Sequence, residues 1–299
     1  MPKYEIMYDR KMQYDGHTLY RICAVNDFAD VKTGDVGGWV GGPESLSQEG
    51  NCWIYDNAIV YECGYVESDA KVRDEAIVCN FATVGDAAQV GGKAKVYGSA
   101  IISGMARIGD YARVHGEARI FEESLVCGHA EVTDSTSIHG TAEVGGAAII
   151  RGKANLHGGA RIGDYAKVEC KAVVYGSANV YGAALISGEA VVYDYAQVFG
   201  NASIYGNASV HGCARVYGYA SAKEGADIAG CAHVYGYAHI CGDAYIAHET
   251  SVSFGKVSSR NAEPGKQNDN RNAEPGKQND KIVLAVGREE TEDILNILS

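Results

Sequence analysis

The sequence predicts an all-β protein, a single-stranded parallel β-helix wound as a triangular solenoid of about 11 coils. Three observations predict it. From Ile54 to Val252 every sixth residue is Ile, Leu or Val, with Ala222 the exception. Four places after each aliphatic comes a small residue, and of the 32 such positions from Ala58 to Ala244 only Gly64, Ser124 and Thr136 are not Ala. Two places after each aliphatic lies Gly, Asp or Asn, in 27 of the 33 positions from Asp56 to His248. No residue is inserted or lost over 33 six-residue steps.

An α-helix would require apolar spacings of three and four, and a flat sheet would require sustained alternation. This chain gives Ala-x-Val, then a break, then the same again. The pattern describes three-residue strands whose ends face inward and whose middle residue faces out. Gly, Asp and Asn tolerate positive φ best, so a bend of one sense recurs every six residues. Three bends close a coil of 18 residues. Coils stacked at ~4.8 Å with parallel hydrogen bonding form a prism on the order of 50 Å long.

The ends depart from the period. Residues 1–50 read as a β cap, with Lys3–Met7 and Leu19–Val25 as strands around Asp15-Gly16. A solenoid needs such a cap to cover its core and strand edges. The two tryptophans, Trp39 and Trp53, fit that seal. Residues 51–253 form the helix. Residues 254–281 read as a flexible linker, because Arg260–Asn270 (RNAEPGKQNDN) is repeated almost unchanged as Arg271–Lys281 and holds little to bury. Residues 282–299 read as a strand followed by a short helix with Ile294, Leu295, Ile297 and Leu298 on its apolar side.

Composition excludes several function classes. A formal charge of −12 disfavours nucleic-acid binding, which needs a basic stripe. The N-terminus lacks a basic-then-apolar leader, and no apolar run is long enough to span a membrane. The nine cysteines are odd in number, contain no CxxC pair and suit a reducing, cytoplasmic location. Cys213 and Cys231 lie 18 apart and so stack on adjacent coils, where spacing permits a bridge. A reducing compartment keeps them as thiols. No spacing suggests a metal site.

The unit resembles the hexapeptide repeat of left-handed β-helix proteins over about two thirds of the chain. The stretches Arg21–Lys32, Gly37-Gly38-Trp39-Val40 and Leu46–Tyr55 resemble a narrower bacterial and phage-encoded group, the YdcK-like proteins, commonly described as transferases or hypothetical proteins. The resemblance implies a left-handed coil. It also implies one functional reading, a trimeric acyltransferase with acyl-CoA between neighbouring prisms and a His general base, since imidazole titrates near neutrality. Loops that interrupt the coils commonly complete such pockets. Here the register is unbroken, which favours a second reading: a non-catalytic scaffold or binding protein that needs no cofactor.

Residues 18 apart form outward columns. One, directly after the aliphatic, holds Phe121, His139, His157, Tyr175, Tyr193 and His211, and another holds Tyr181, Phe199, Tyr217 and Tyr235. His139 and His157 are the candidates for a general base in an intersubunit cleft. As structure, the same column is a ladder of stacked rings. Tyr175, Tyr193, His211, Tyr181, Phe199, Tyr217 and Tyr235 are the candidates for binding a protein or small ligand, because tyrosine surfaces bury area with little entropy loss. His115, His129, His233 and His239 read as isolated surface residues. Ile59, Ile77, Ile149 and Leu185, with Ile101, Val173 and Val191, occupy outward mid-strand positions and suggest contact with a second prism, in a dimer or a trimer.

Overall fold

The structure, a computed structural model, describes residues 2–258 and Val286–Gly287. It is an all-β parallel solenoid of about 12 turns. The chain divides into two compact units, Met1–Cys170 and Lys171–Ser299.

Unit 1 begins with a hairpin of β1 (Tyr4–Tyr14) and β2 (His17–Ala24), antiparallel. Both turn residues, Asp15 and Gly16, have positive φ, as a two-residue hairpin turn requires. β3 (Val36–Val40) joins this cap to the solenoid, because it pairs antiparallel with β2 and parallel with Ile59–Val60. That first turn pairs Trp39 with Ile59 and Leu46 with Val66, two residues longer than the later coils. It therefore escapes the six-residue count. Trp53 is buried between the edges of Tyr4 and Phe28, and Arg21 covers Trp39 at 4.3 Å. Gly38 is required here, since a Cβ would meet Ile54 Cγ2 at 2.4 Å. The Lys3 ammonium is buried at the same end, where it donates to the carbonyl of Cys52 at 3.0 Å.

From Trp53 the coils settle into strict register. Gln89 pairs with both Lys71 and Arg107, each 18 residues away, and Lys95 pairs likewise with Ile77 and Arg113. Each coil carries three two-residue strands. The Ala and aliphatic positions are buried, and the residue between them faces out, as the pattern predicts. Apolar burial at ~25 cal/mol per Å² drives this thin core. Its narrowness explains why Ala alternates with Val and Ile.

All 33 predicted bends have positive φ, between 50° and 78°, including those at Glu62, Ser68, Glu122, Cys170, Glu224 and His248. Acidic bends add a second contact. The Asp74 carboxylate accepts the backbone N–H of Gly92 at 2.7 Å, and Asp86, Asp110 and Asp134 do the same for Gly104, Gly128 and Gly152 at 2.8–2.9 Å. In each pair the carboxylate takes the N–H of the bend one coil on.

Unit 2 repeats the same coil within itself. Asn179 pairs with Gln197, Gln197 with Arg215, and Asp194 and Glu224 cap the bends at Gly212 and Gly242. The register slips by one residue between Val234 and Tyr237, and the last described coil strand runs Ser251–Ser258. That strand extends five residues into the stretch read as linker. Val286–Gly287 pairs antiparallel with Ala244–Tyr245, within the strand expected from the sequence. The duplicated linker stretch and the C-terminal helix expectation lie outside the described residues.

Two exposed-face expectations are corrected. Ile59 is buried with Leu19 and Tyr61, and Ile77 packs against them, because the hairpin folds over these rungs.

The bends give a test. Asp110→Ala removes the carboxylate that holds Gly128 N–H and leaves a Cβ at φ 53°. A charged acceptor is worth about 1 kcal/mol or somewhat more net. Asp110→Gly removes the same acceptor and relieves the backbone. Urea unfolding is expected to show a loss of ~1–2 kcal/mol for Ala and a smaller loss for Gly. Equal losses would show that φ at this bend carries no strain.

Candidate functional site

The aromatic columns follow from the coil. Each column residue comes directly after a buried aliphatic, as in Ile138-His139 and Val198-Phe199, so its side chain leaves the prism where the strand ends. Coil spacing then sets ring spacing. In unit 1, Phe121, His139 and His157 stack in sequence, with centroids 4.8 and 5.1 Å apart. In unit 2, Tyr175, Tyr193 and His211 stack at 5.0 and 4.7 Å. Tyr181, Phe199, Tyr217 and Tyr235 stack at 4.9, 4.8 and 5.2 Å, within 8° of parallel. All are half-buried. Their faces cover one another, so the rims, hydroxyls and ring nitrogens face solvent. Arg215 places its guanidinium 5.4 Å from the Phe199 ring and 5.9 Å from Tyr217.

His139 Nδ1 lies 3.8 Å from Glu122 Oε2, but that carboxylate already accepts the Gly140 N–H at 2.6 Å. Burial lowers the His157 pKa below the ordinary imidazole value, and the neighbouring His139 lowers it further. The His139–His157 pair is therefore a stacked ladder in which His157 resists protonation.

The residues that sequence reasoning placed alone are engaged. His115 stacks on Tyr97 at 4.6 Å. Its Nε2 lies 3.0 Å from Glu131 Oε1, and Thr133 Oγ1 lies 3.0 Å from its Nδ1. Hydroxyl, imidazole and carboxylate thus form one relay on the surface of unit 1. A carboxylate on one ring nitrogen fixes the tautomer and leaves the other nitrogen a proton acceptor. His129 stacks on Tyr111 at 4.8 Å, His233 meets the Tyr217 ring edge-on, and His239 Nδ1 bonds Ser221 Oγ at 2.7 Å.

Unit 2 contains a related arrangement. His211 Nε2 lies 3.1 Å from the nearly buried Asp227 carboxylate, which also accepts from Ser209 Oγ at 2.6 Å. Both His–carboxylate pairs span 16 residues, His115 to Glu131 and His211 to Asp227. This spacing is the sequence signal that a search of 18-residue columns passes over. It joins a column residue to the mid-strand residue two places short of the next rung.

A cavity of about 760 Å³ opens near the N-terminal end, lined by Glu44, Leu46, Gln48, Tyr65 and Glu67 among others. None of the sequence candidates lines it. Among the described residues, no group of three or more His, Cys, Asp or Glu could hold a metal ion.

No family model matches the chain. A stretch of 61 residues, 20% of this chain, is 39% identical to the uncharacterized acetyltransferase YdcK of Escherichia coli (strain K12). The chain fits a hexapeptide-repeat left-handed β-helix family. It spans about one fifth of the curated relative's length, as the match covers 19% of that protein. Within such a hexapeptide-repeat chain the lattice is common property, and any distinction lies in the outward side chains.

The low His157 pKa predicts a pH response. Unfolded imidazole titrates near 6.5, so the unfolded chain binds the proton more readily than the folded one. Folding stability is then undiminished above 6.5 and falls as pH drops through the lower folded value. His157→Phe keeps a ring in the ladder and removes this penalty. Urea midpoints at pH 7.5 and 5.5 should converge in the variant relative to the wild type. An unchanged pH response would place the titration elsewhere.

Proposed function

We propose that this protein is a non-catalytic, cytoplasmic β-solenoid scaffold, homo-oligomeric and of the phage-associated kind its sequence resembles. It presents a Tyr- and His-rich surface to a partner or small ligand. One observation carries the reading: the coils keep 18-residue register through the repeat without a loop excursion, while aromatic residues line their outer edge in stacked columns. The Tyr181–Tyr235 column offers hydroxyl rims at coil spacing beside the Arg215 guanidinium. Pre-ordered rings lose little entropy on binding. No helix is long and apolar enough to cross a membrane.

Native mass spectrometry of the purified oligomer tests this. A bound species is expected with the wild type and lost in the Tyr181→Ser, Tyr217→Ser double variant, with the far-UV circular dichroism spectrum unchanged. Retention of the same species by the variant would exclude this face.

A second reading is an acyltransferase that uses acyl-CoA, favoured by the Thr133–His115–Glu131 relay and by the name of the matched relative. Calorimetric titration with acetyl-CoA separates the two. The scaffold gives no binding heat. An acyltransferase binds and transfers, and His115→Ala would retain binding while transfer falls ~10²–10⁴-fold, the usual contribution of a general base. The same substitution at His139 or His157 identifies which column carries the proton.

A further inference from the structure

Of the nine cysteines, only Cys213 and Cys231 are 18 residues apart. They occupy equivalent places at two successive bends of unit 2. The strands on both sides of these bends are paired: Ser209 with Asp227 before them, and Arg215 with His233 after them. The Cys213 N–H donates to the Gly230 carbonyl at 2.7 Å, which fixes the bends against each other. Successive coils lie ~4.8 Å apart, inside the ~4.4–6.8 Å Cα range that a disulfide spans. Both cysteines are exposed and reduced, and their thiols hydrogen-bond each other.

The other thiols compete poorly. Cys52 and Cys241 are buried, and burial raises the pKa of Cys52, Cys79 and Cys127. A raised thiol holds fewer thiolates at neutral pH, and the thiolate is the nucleophile. Cys231 is itself raised, first by its hydrogen bond with Cys213 and then by that thiol's charge. It therefore keeps its proton longer than an ordinary exposed thiol, which suits the second step of an exchange.

We propose that Cys213 and Cys231 form a thiol–disulfide exchange site for low-molecular-weight disulfides, and that the reaction staples two successive coils of unit 2. The Cys213 thiolate attacks one sulfur of a small disulfide, breaks its S–S bond and releases one small thiolate. The Cys231 thiolate then attacks the Cys213 sulfur of the mixed disulfide and releases the second. The two cysteine protons end on the two released thiolates. The small disulfide gains two electrons, and the cysteine pair loses two. The coil spacing favours the second step, because the resolving sulfur already touches the first.

The test uses the full chain and glutathione disulfide. Non-reducing peptide mapping should show a Cys213–Cys231 linked pair, with two glutathiones released per chain. Cys231→Ser should stop at a glutathione adduct on Cys213, and Cys213→Ser should react slowly. Stapling closes a loop of roughly 15 residues and constrains the unfolded chain. The oxidised wild type should therefore unfold about 5 °C or more above the reduced form, while the Ser variants show no such rise. A mixed disulfide that persists in the wild type overturns the proposal. So does a 213–231 link that forms only in the urea-unfolded chain.

Discussion

The structure depends on one backbone constraint, a left-handed φ at every sixth residue. Each such bend turns the chain by the same sense onto the next face, and three bends return it one coil spacing along. The bend also creates a problem, since its own N–H points along the stack and meets no strand partner. Where the preceding coil carries Asp or Glu at the bend, its carboxylate accepts that N–H, as Asp74 does for Gly92. Where both bends are Gly, the backbones approach so closely that a Cβ at Gly98 would meet Gly116 N at 2.8 Å. Glycine and aspartate thus solve the same bend differently. One removes the side chain, and the other uses it as a cap. This explains why the bend positions are restricted to so few residue types while the mid-strand positions vary widely.

The same constraint governs the surface. Equivalent outward residues lie one coil spacing apart, which is near the optimal separation of offset aromatic rings. Columns of Tyr, Phe and His consequently stack without any further instruction. Stacking stabilises adjacent coils and removes the ring faces from use by a ligand. Recognition on such a surface works through rims, hydroxyls and ring nitrogens. A ligand that needs an aromatic platform would find one only at a column end. A repeating ligand or extended partner with polar groups near the coil spacing suits the rims better.

The lattice was legible in the sequence because it is local. Six-residue periodicity, Ala at the fourth place and Gly or Asp at the second are each properties of one rung, and Glu122, Cys170 and His248 adopt the bend although their type disfavours it. What was illegible depends on contacts between rungs of different registers. Ile59 seemed an exposed mid-strand residue because nothing periodic announces that the β1–β2 hairpin lies over it. His115 seemed isolated because its partners sit 16 and 18 residues away, one diagonal and one vertical. Column reasoning sees the vertical neighbour Thr133 and misses the diagonal neighbour Glu131. The diagonal arises because the side chain at the strand end leans back across the face of the next coil.

That diagonal also limits where chemistry can be built on so regular a solenoid. A vertical column places like next to like, which favours stacking and repeats one function many times. Convergence of unlike groups, as in a relay of hydroxyl, imidazole and carboxylate, requires side chains from two columns to meet. The 16-residue His–carboxylate spacing does this twice, once in each unit, without disturbing a single bend. A protein with this lattice need not break register to bring a base and its orienting acid together. It needs only the right pair of outward residues on neighbouring coils. Regular coils alone therefore do not decide between a binding surface and a catalytic one. The discriminating element is a concave neighbour that would enclose the His115 relay, and only a second chain or an element outside the repeat can provide it.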